Sequence, residues 1–252
     1  MRILVANDDG IRSEGIAALE RVARSISDDV WVVAPEEQQS GAGHSISLHV
    51  PLRMRQLDDR HFAVRGTPTD CVMMAAQQII PGKKPDLLLS GINHGLNLAE
   101  DVTYSGTIAA AMEGTLLDIP SIALSSALKP NQPVEWGAAE AYAKRLIPQL
   151  VEAGWPKGNL ININFPGLPE EQIKGVKLCP QGRRKIGDNL VRREDPAGQP
   201  YFWIGGPGTE PYDDHPGADY MQCLDGYVTV TPLNLDLTNY RALETLREHI
   251  TL

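Results

Sequence analysis

An apolar run, two adjacent carboxylates, a glycine and a helix follow one another without a gap in the first part of the chain. Ile3 to Ala6 is short and rich in β-formers, which predicts a buried strand. Asn7-Asp8-Asp9-Gly10 comes next. From Ser13 to Arg24 the apolar residues Ile16, Leu19, Val22 and Ala23 recur at helical spacing, with Ser13 placed as N-cap. A strand, an acidic turn and a helix in that order point to an open α/β sheet, where ligands bind outside the carboxyl ends of the strands. Asp8 and Asp9 repel each other there unless a cation lies between them, and a hard divalent ion is the natural occupant. The competing reading has one Asp capping the helix and the other solvated.

The rest of the chain repeats the alternation. Apolar runs at Val30–Ala34, Leu87–Leu89, Ile119–Leu124, Leu160–Phe165 and Tyr227–Thr231 predict strands. Residues 44–65 alternate like two or three antiparallel strands. Helices are expected from Gly66-Thr67-Pro68-Thr69-Asp70, capped by Thr67 or Thr69, to about Ile80, then at Ile108–Leu117, Val134–Glu152 and Tyr240–Ile250. Ile108–Leu117 is apolar nearly all round and should be buried. Pro148 should kink or end the third of these. Strands separated by helices imply a mainly parallel sheet with right-handed crossovers. The 252 residues, 42% hydrophobic and 22% charged, suffice for one large α/β domain or two small ones.

From about residue 180 the composition changes. Residues 180–217 hold thirteen Gly or Pro among thirty-eight, and residues 174–195 carry a net charge of +4. This is too long for an ordinary loop. It is either a flap or an arm, spanning 181–217, that finds its partners on another subunit. Tyr201-Phe202-Trp203-Ile204 gives it an apolar cluster, which points to a homodimer or homotetramer.

The net charge of −9 argues against a stable nucleic-acid complex, whose phosphate contacts need a basic surface. It leaves room for a small phosphorylated substrate, because a bound metal inverts the sign of a local site. Cys71, Cys179 and Cys223 are widely spaced and form no CxxC pair, so neither a disulfide framework nor a zinc site is expected. With no membrane-length apolar run and no visible signal peptide, a cytoplasmic location is expected.

Four positions fall at or just after strand ends: the carboxylates Asp8 and Asp9, the Ser40 hydroxyl and the Asn93 amide. An all-oxygen donor set suits Mg²⁺, Mn²⁺ or Ca²⁺ rather than zinc. Ser105-Gly106-Thr107 opens a helix, where free N–H groups and two hydroxyls make an anion site. A metal beside a phosphate pocket is the apparatus of metal-assisted phosphate ester hydrolysis. Each piece also has a structural reading: turn chemistry for Ser40 and Asn93, helix capping for Ser105 or Thr107. His94 could serve as a general acid, but a lone histidine more often belongs to the scaffold. His44 and His215 carry less signal.

Several alternatives fail on specifics. The chain has no GxxxxGK[ST], and Gly41-Ala42-Gly43 lacks the third glycine of a dinucleotide fingerprint. Adjacent aspartates lack the Asp-x-Asp spacing of haloacid-dehalogenase-type phosphatases. A receiver domain needs a phosphoacceptor Asp where this chain has Ser90-Gly91, and is about half as long.

Asn7-Asp8-Asp9-Gly10, Ser40-Gly41, Gly66-Thr67-Pro68-Thr69-Asp70-Cys71, Ser90-Gly91-Ile92-Asn93-x-Gly95-x-Asn97 and Tyr104-Ser105-Gly106-Thr107 together resemble the SurE survival-protein family, in order and over nearly the whole chain. The resemblance implies a single domain over 1–252, with a Rossmann-like part and a C-terminal extension that exchanges between subunits. It implies a divalent-metal phosphatase of nucleoside 5′- and often 3′-monophosphates, with one Mg²⁺ or Mn²⁺ held by Asp8, Asp9, Ser40 and Asn93. Asn97, Ser105, Gly106 and Thr107 are then the expected phosphate-binding residues. A water held by the metal and activated by Asp8 or Asp9 is the expected nucleophile, ahead of a covalent aspartyl-phosphate. The non-enzyme rival is a module that binds nucleoside monophosphates without turnover.

Overall fold

Strand β1 (Arg2–Ala6) lies in the middle of a sheet whose order reverses around it. The chain leaves β1 through α1 (Glu14–Ile26) to β2 (Asp29–Pro35) on one side. The hairpin β3 (Arg53–Gln56) and β4 (His61–Arg65) extends that side, with β4 parallel to β2. The chain then crosses through α2 (Pro68–Met74) to the other side of β1, where β5 (Leu87–His94) pairs with it in parallel. After α3 (Gly106–Leu116), β6 (Ser121–Ser126), α4 (Trp136–Ala153) and β7 (Asn159–Phe165) continue outward in parallel. Strand β11 (Val228–Asn234) closes this edge antiparallel to β7, with β8 (Val176–Leu178) beside it. The sheet has nine strands among the described residues, ordered β3-β4-β2-β1-β5-β6-β7-β11-β8. The structure is a computed structural model and describes residues 1–128, 134, 136–184, 190–204 and 215–250.

Side chains of β1 alternate between two cores, because successive strand residues face opposite sides. Ile3 and Val5 join Leu19 of α1 and Ile147 of α4, while Leu4 and Ala6 join Val72 of α2 and Ile108 of α3. Burial on both faces explains why the inner strands read as unbroken apolar runs. Helix α1 lies so close to β5 that a Cβ on Gly15 would sit 2.0 Å from the Ile92 carbonyl oxygen, so only glycine fits.

The expected parallel α/β sheet is present, with differences at element ends. Thr67 is the cap of α2: its hydroxyl accepts from Asp70 N–H, and Asp70 returns the bond to Thr67 N–H. The α-helix stops at Met74, and a π-helical stretch carries Ala75–Ile79 to the expected end. Helix α4 passes through Pro148 without ending there. Pro148 and Lys144 are both exposed, so the carbonyl that loses its partner faces water. β5 is longer than Leu87–Leu89 and includes Asn93 and His94, with a register shift against β6 between Ser90 and Asn93. Of the antiparallel strands expected in 44–65, two formed.

The Gly/Pro-rich segment holds β9 (Leu190–Glu194) and β10 (Pro200–Ile204), an antiparallel pair in its own two-stranded sheet. Phe202 and Trp203 are exposed. A short helix, α5 (Asp219–Leu224), precedes β11, and α6 (Tyr240–His249) ends the described chain. The remainder of the 181–217 arm, at 185–189 and 205–214, lies outside the described residues.

Candidate active site

The carboxyl ends of β1 and β5 meet where the strand order reverses, the crevice in which open α/β sheets bind ligands. Asn7 builds the turn out of β1: its amide donates to the Gly10 carbonyl at 3.0 Å and to Ser13 Oγ at 2.8 Å. Ser13 in turn caps α1. Asp8 and Asp9 are carried on this turn, Asp8 buried and Asp9 half-buried.

Three loops close on the two aspartates. Gln39 N–H donates to the Asp8 carbonyl at 2.8 Å, which brings the adjacent Ser40 to the same end of the sheet. Ser40 is exposed, and its hydroxyl accepts from Gln38 Nε2 at 2.8 Å. His94 N–H donates to Asp9 Oδ2 at 3.0 Å, tying the end of β5, and with it Asn93, to Asp9. The Asn93 amide nitrogen donates to the Gly95 carbonyl at 2.9 Å. The third segment is the start of α3. Thr107 Oγ1 donates to Asp8 Oδ1 at 2.5 Å. A Cβ on Gly106 would lie 2.7 Å from Asp8 Cβ, so glycine is what lets the helix start reach the carboxylate.

The electrostatics of the pair are unfavourable as they stand. Burial pushes the Asp8 carboxyl up to about 6; the Thr107 hydroxyl opposes the rise and the Asp9 charge adds to it. No lysine or arginine among the described residues forms an ion pair with either aspartate. Two clustered carboxylates without a protein cation, joined by a serine hydroxyl and an amide, fit a hard divalent ion by donor chemistry. Among the described residues no group of three or more His, Cys, Asp or Glu is arranged to hold a metal ion, so any ion here must draw on neutral oxygens as well.

The expected phosphate-binding residues divide. Ser105 is buried and caps α3, accepting from Ile108 N–H at 3.1 Å. Gly106 and Thr107 lie against Asp8, and the Thr107 hydroxyl proton is spent on that carboxylate. Asn97 is 6% exposed, and its amide donates to Ser125 Oγ at 2.8 Å. His94 lies against Trp136 with ring centroids 5.0 Å apart and the ring planes tilted by 34°. His44 reaches Glu113 of α3 at 3.1 Å, which pins the Ser40 loop to that helix. Sequence reasoning missed Asn7 as builder of the turn and Gly106 as the point of closest approach. A glycine at a helix start was the available signal for the second.

The profile described as "Survival protein SurE" matches residues 3–188. A "5′-nucleotidase SurE" from Paramagnetospirillum magneticum is 52% identical over 248 residues, covering 97% of this chain and 95% of that protein. One from Brucella canis is 54% identical over 245 residues, covering 96% and 95%. The crystal structure of the SurE protein from Aquifex aeolicus superposes with a TM-score of 0.86 at 41% identity, covering 98% of this chain and 99% of that one.

Proposed function

The chain belongs to the SurE survival-protein family, and from that membership and the site just described we propose that it is a divalent-metal-dependent 5′-nucleotidase that also accepts nucleoside 3′-monophosphates. The observation that carries this reading is the buried Asp8 beside Asp9 at the switch point of the sheet, with no described cation paired to either and the start of α3 against them. Asp8, Asp9, Ser40 and Asn93 would hold one Mg²⁺ or Mn²⁺. When bound, such an ion draws charge from phosphoryl oxygens and eases the deprotonation of water.

This chain's own residues do the rest. The start of α3, at Ser105 and Gly106, offers the positive end of a helix dipole to the phosphate. Thr107 holds Asp8 in one orientation, and His94 N–H does the same for Asp9. Asp8 or Asp9 takes the proton from water as its oxygen bonds to phosphorus, and returns that proton to the ester oxygen as the P–O bond breaks, so the nucleoside leaves as its alcohol. Acceptance of 3′-monophosphates is carried over from the family resemblance.

We further propose assembly as a homodimer or homotetramer through the arm. An isolated two-stranded ribbon is marginal in water, so β9 and β10 with their exposed aromatics need a partner surface. No described helix is long and apolar enough to cross a membrane. Three free buried cysteines accord with a reducing cytoplasm.

Phosphate release from 5′-AMP and 3′-AMP tests the activity. Release with Mn²⁺ or Mg²⁺, loss in EDTA and recovery on adding the metal back are expected. Tight nucleotide binding with no release under any of these conditions would establish the non-enzymatic module instead.

A further inference from the structure

Next to Asn93 the structure builds a row of polar side chains that runs across β5, β6 and β7. Asn93, Ser125 and Asn164 are register partners across β5, β6 and β7, and Thr229 of β11 continues the row. Ser125 and Asn164 are fully buried. Polar groups cost free energy in such a place unless they are bonded, so their partners show what they do. Asn164 grips the backbone of Asn97 at two points: its Oδ1 accepts from Asn97 N–H at 2.9 Å, and its Nδ2 donates to the Asn97 carbonyl at 3.1 Å. Asn162 donates to the same carbonyl at 2.8 Å. Ser125 Oγ accepts from the Asn97 amide at 2.8 Å. One residue thus has its N–H, its carbonyl and its side chain all held by β6 and β7.

The segment so held runs back to the cleft within four residues. Gly95 N–H donates to the Ser126 carbonyl at 2.9 Å, and the Gly95 carbonyl accepts the Asn93 amide nitrogen. That bond consumes the donor end of the Asn93 amide and leaves its oxygen as the end available to a cation. We infer that Asn164, with Asn162 and Ser125, is a positioning residue that sets the metal-ligating orientation of Asn93 by clamping the backbone of Asn97. The inference rests on the metal reading of the site proposed above. Partners that orient a ligand without touching the metal change metal affinity by about 10–100-fold when removed.

The test uses the full chain with Asn164→Ala and the milder Asn162→Ala, which removes only one of the bonds to Asn97. Calorimetric titration with Mn²⁺ should show Kd raised roughly tenfold or more in Asn164→Ala and less in Asn162→Ala. Saturating Mn²⁺ should return kcat toward that of the wild type. Hydrogen exchange in metal-free protein should accelerate at 93–99, with β1 and β2 unchanged. Exchange at 93–99 and Mn²⁺ affinity both as in the wild type would overturn the inference. A lowered melting temperature with unaltered Mn²⁺ affinity would also overturn it, because it marks a purely structural role. If Asn164→Ala does not fold, Asn162→Ala decides by the same readouts. Failure of the wild type itself to bind Mn²⁺ would sink the metal reading and this assignment with it, while the exchange data would still report whether the clamp exists.

Discussion

At Asp8 the protein sets three effects against one another: burial and the neighbouring Asp9 charge favour the protonated form, while the Thr107 hydroxyl favours the charged one. Only the charged form is a good metal ligand. Thr107→Val keeps the shape of the side chain and removes the donor. A hydrogen bond to a charged group is worth roughly 1.5–3 kcal/mol, so kcat/KM should fall about ten- to a hundredfold. Steady-state kinetics at fixed Mn²⁺ measures this, and unchanged kcat/KM would reduce Thr107 to a space-filling residue. The positions of Asp8, Asp9, Ser40 and Asn93 were legible because each sits beside a local punctuation mark, a strand end or a glycine turn. The partners of Thr107 and Asn97 were not, since Asp8 lies 99 residues away and Asn164 lies 67 away. A hydroxyl at a helix start looks the same whether it meets a phosphate or a distant carboxylate.

Elements were readable where burial imposed a period. β1, α1 and α3 match their apolar patterns because both faces of the sheet are covered. The short strands β8, β9 and β10 and the helix α5 left no such signature; β8, β9 and β10 have no fully buried residues. Polar ties between elements were equally invisible. His61 of β4 reaches Glu20 of α1 at 3.1 Å and Asp58 at 2.8 Å. Burial alone would lower its pKa, but these hydrogen bonds and charges outweigh burial and raise it. A histidine raised above its ordinary value of about 6.5 stabilises the fold fully below that pH, and the contribution is lost as pH rises through the folded-state value. The melting temperature should therefore contain a component that falls on going from about pH 6 into the alkaline range. His61→Gln should flatten that component, and a pH series of thermal melts on both proteins checks it. An identical slope in the variant would assign the dependence to another group.

Over the whole molecule, the parallel sheet, its helices and its switch point follow from the alternation of apolar runs. Which surface the arm occupies does not, because its partners are not sequence neighbours. Phe202→Glu combined with Trp203→Glu places charge on the exposed ribbon. If that ribbon joins subunits, sedimentation should show a smaller species, with Mn²⁺ binding retained because the proposed ligands all precede residue 100. An unchanged mass would assign the ribbon to the parent chain. The proposed activity requires a divalent ion held by the two aspartates at the end of β1. Calorimetric titration of Mn²⁺ into the wild type and Asp8→Asn tests it most directly. One ion per chain is expected in the wild type and, in the variant, loss of most of the affinity without loss of folding. Equal affinity in the two proteins would contradict it.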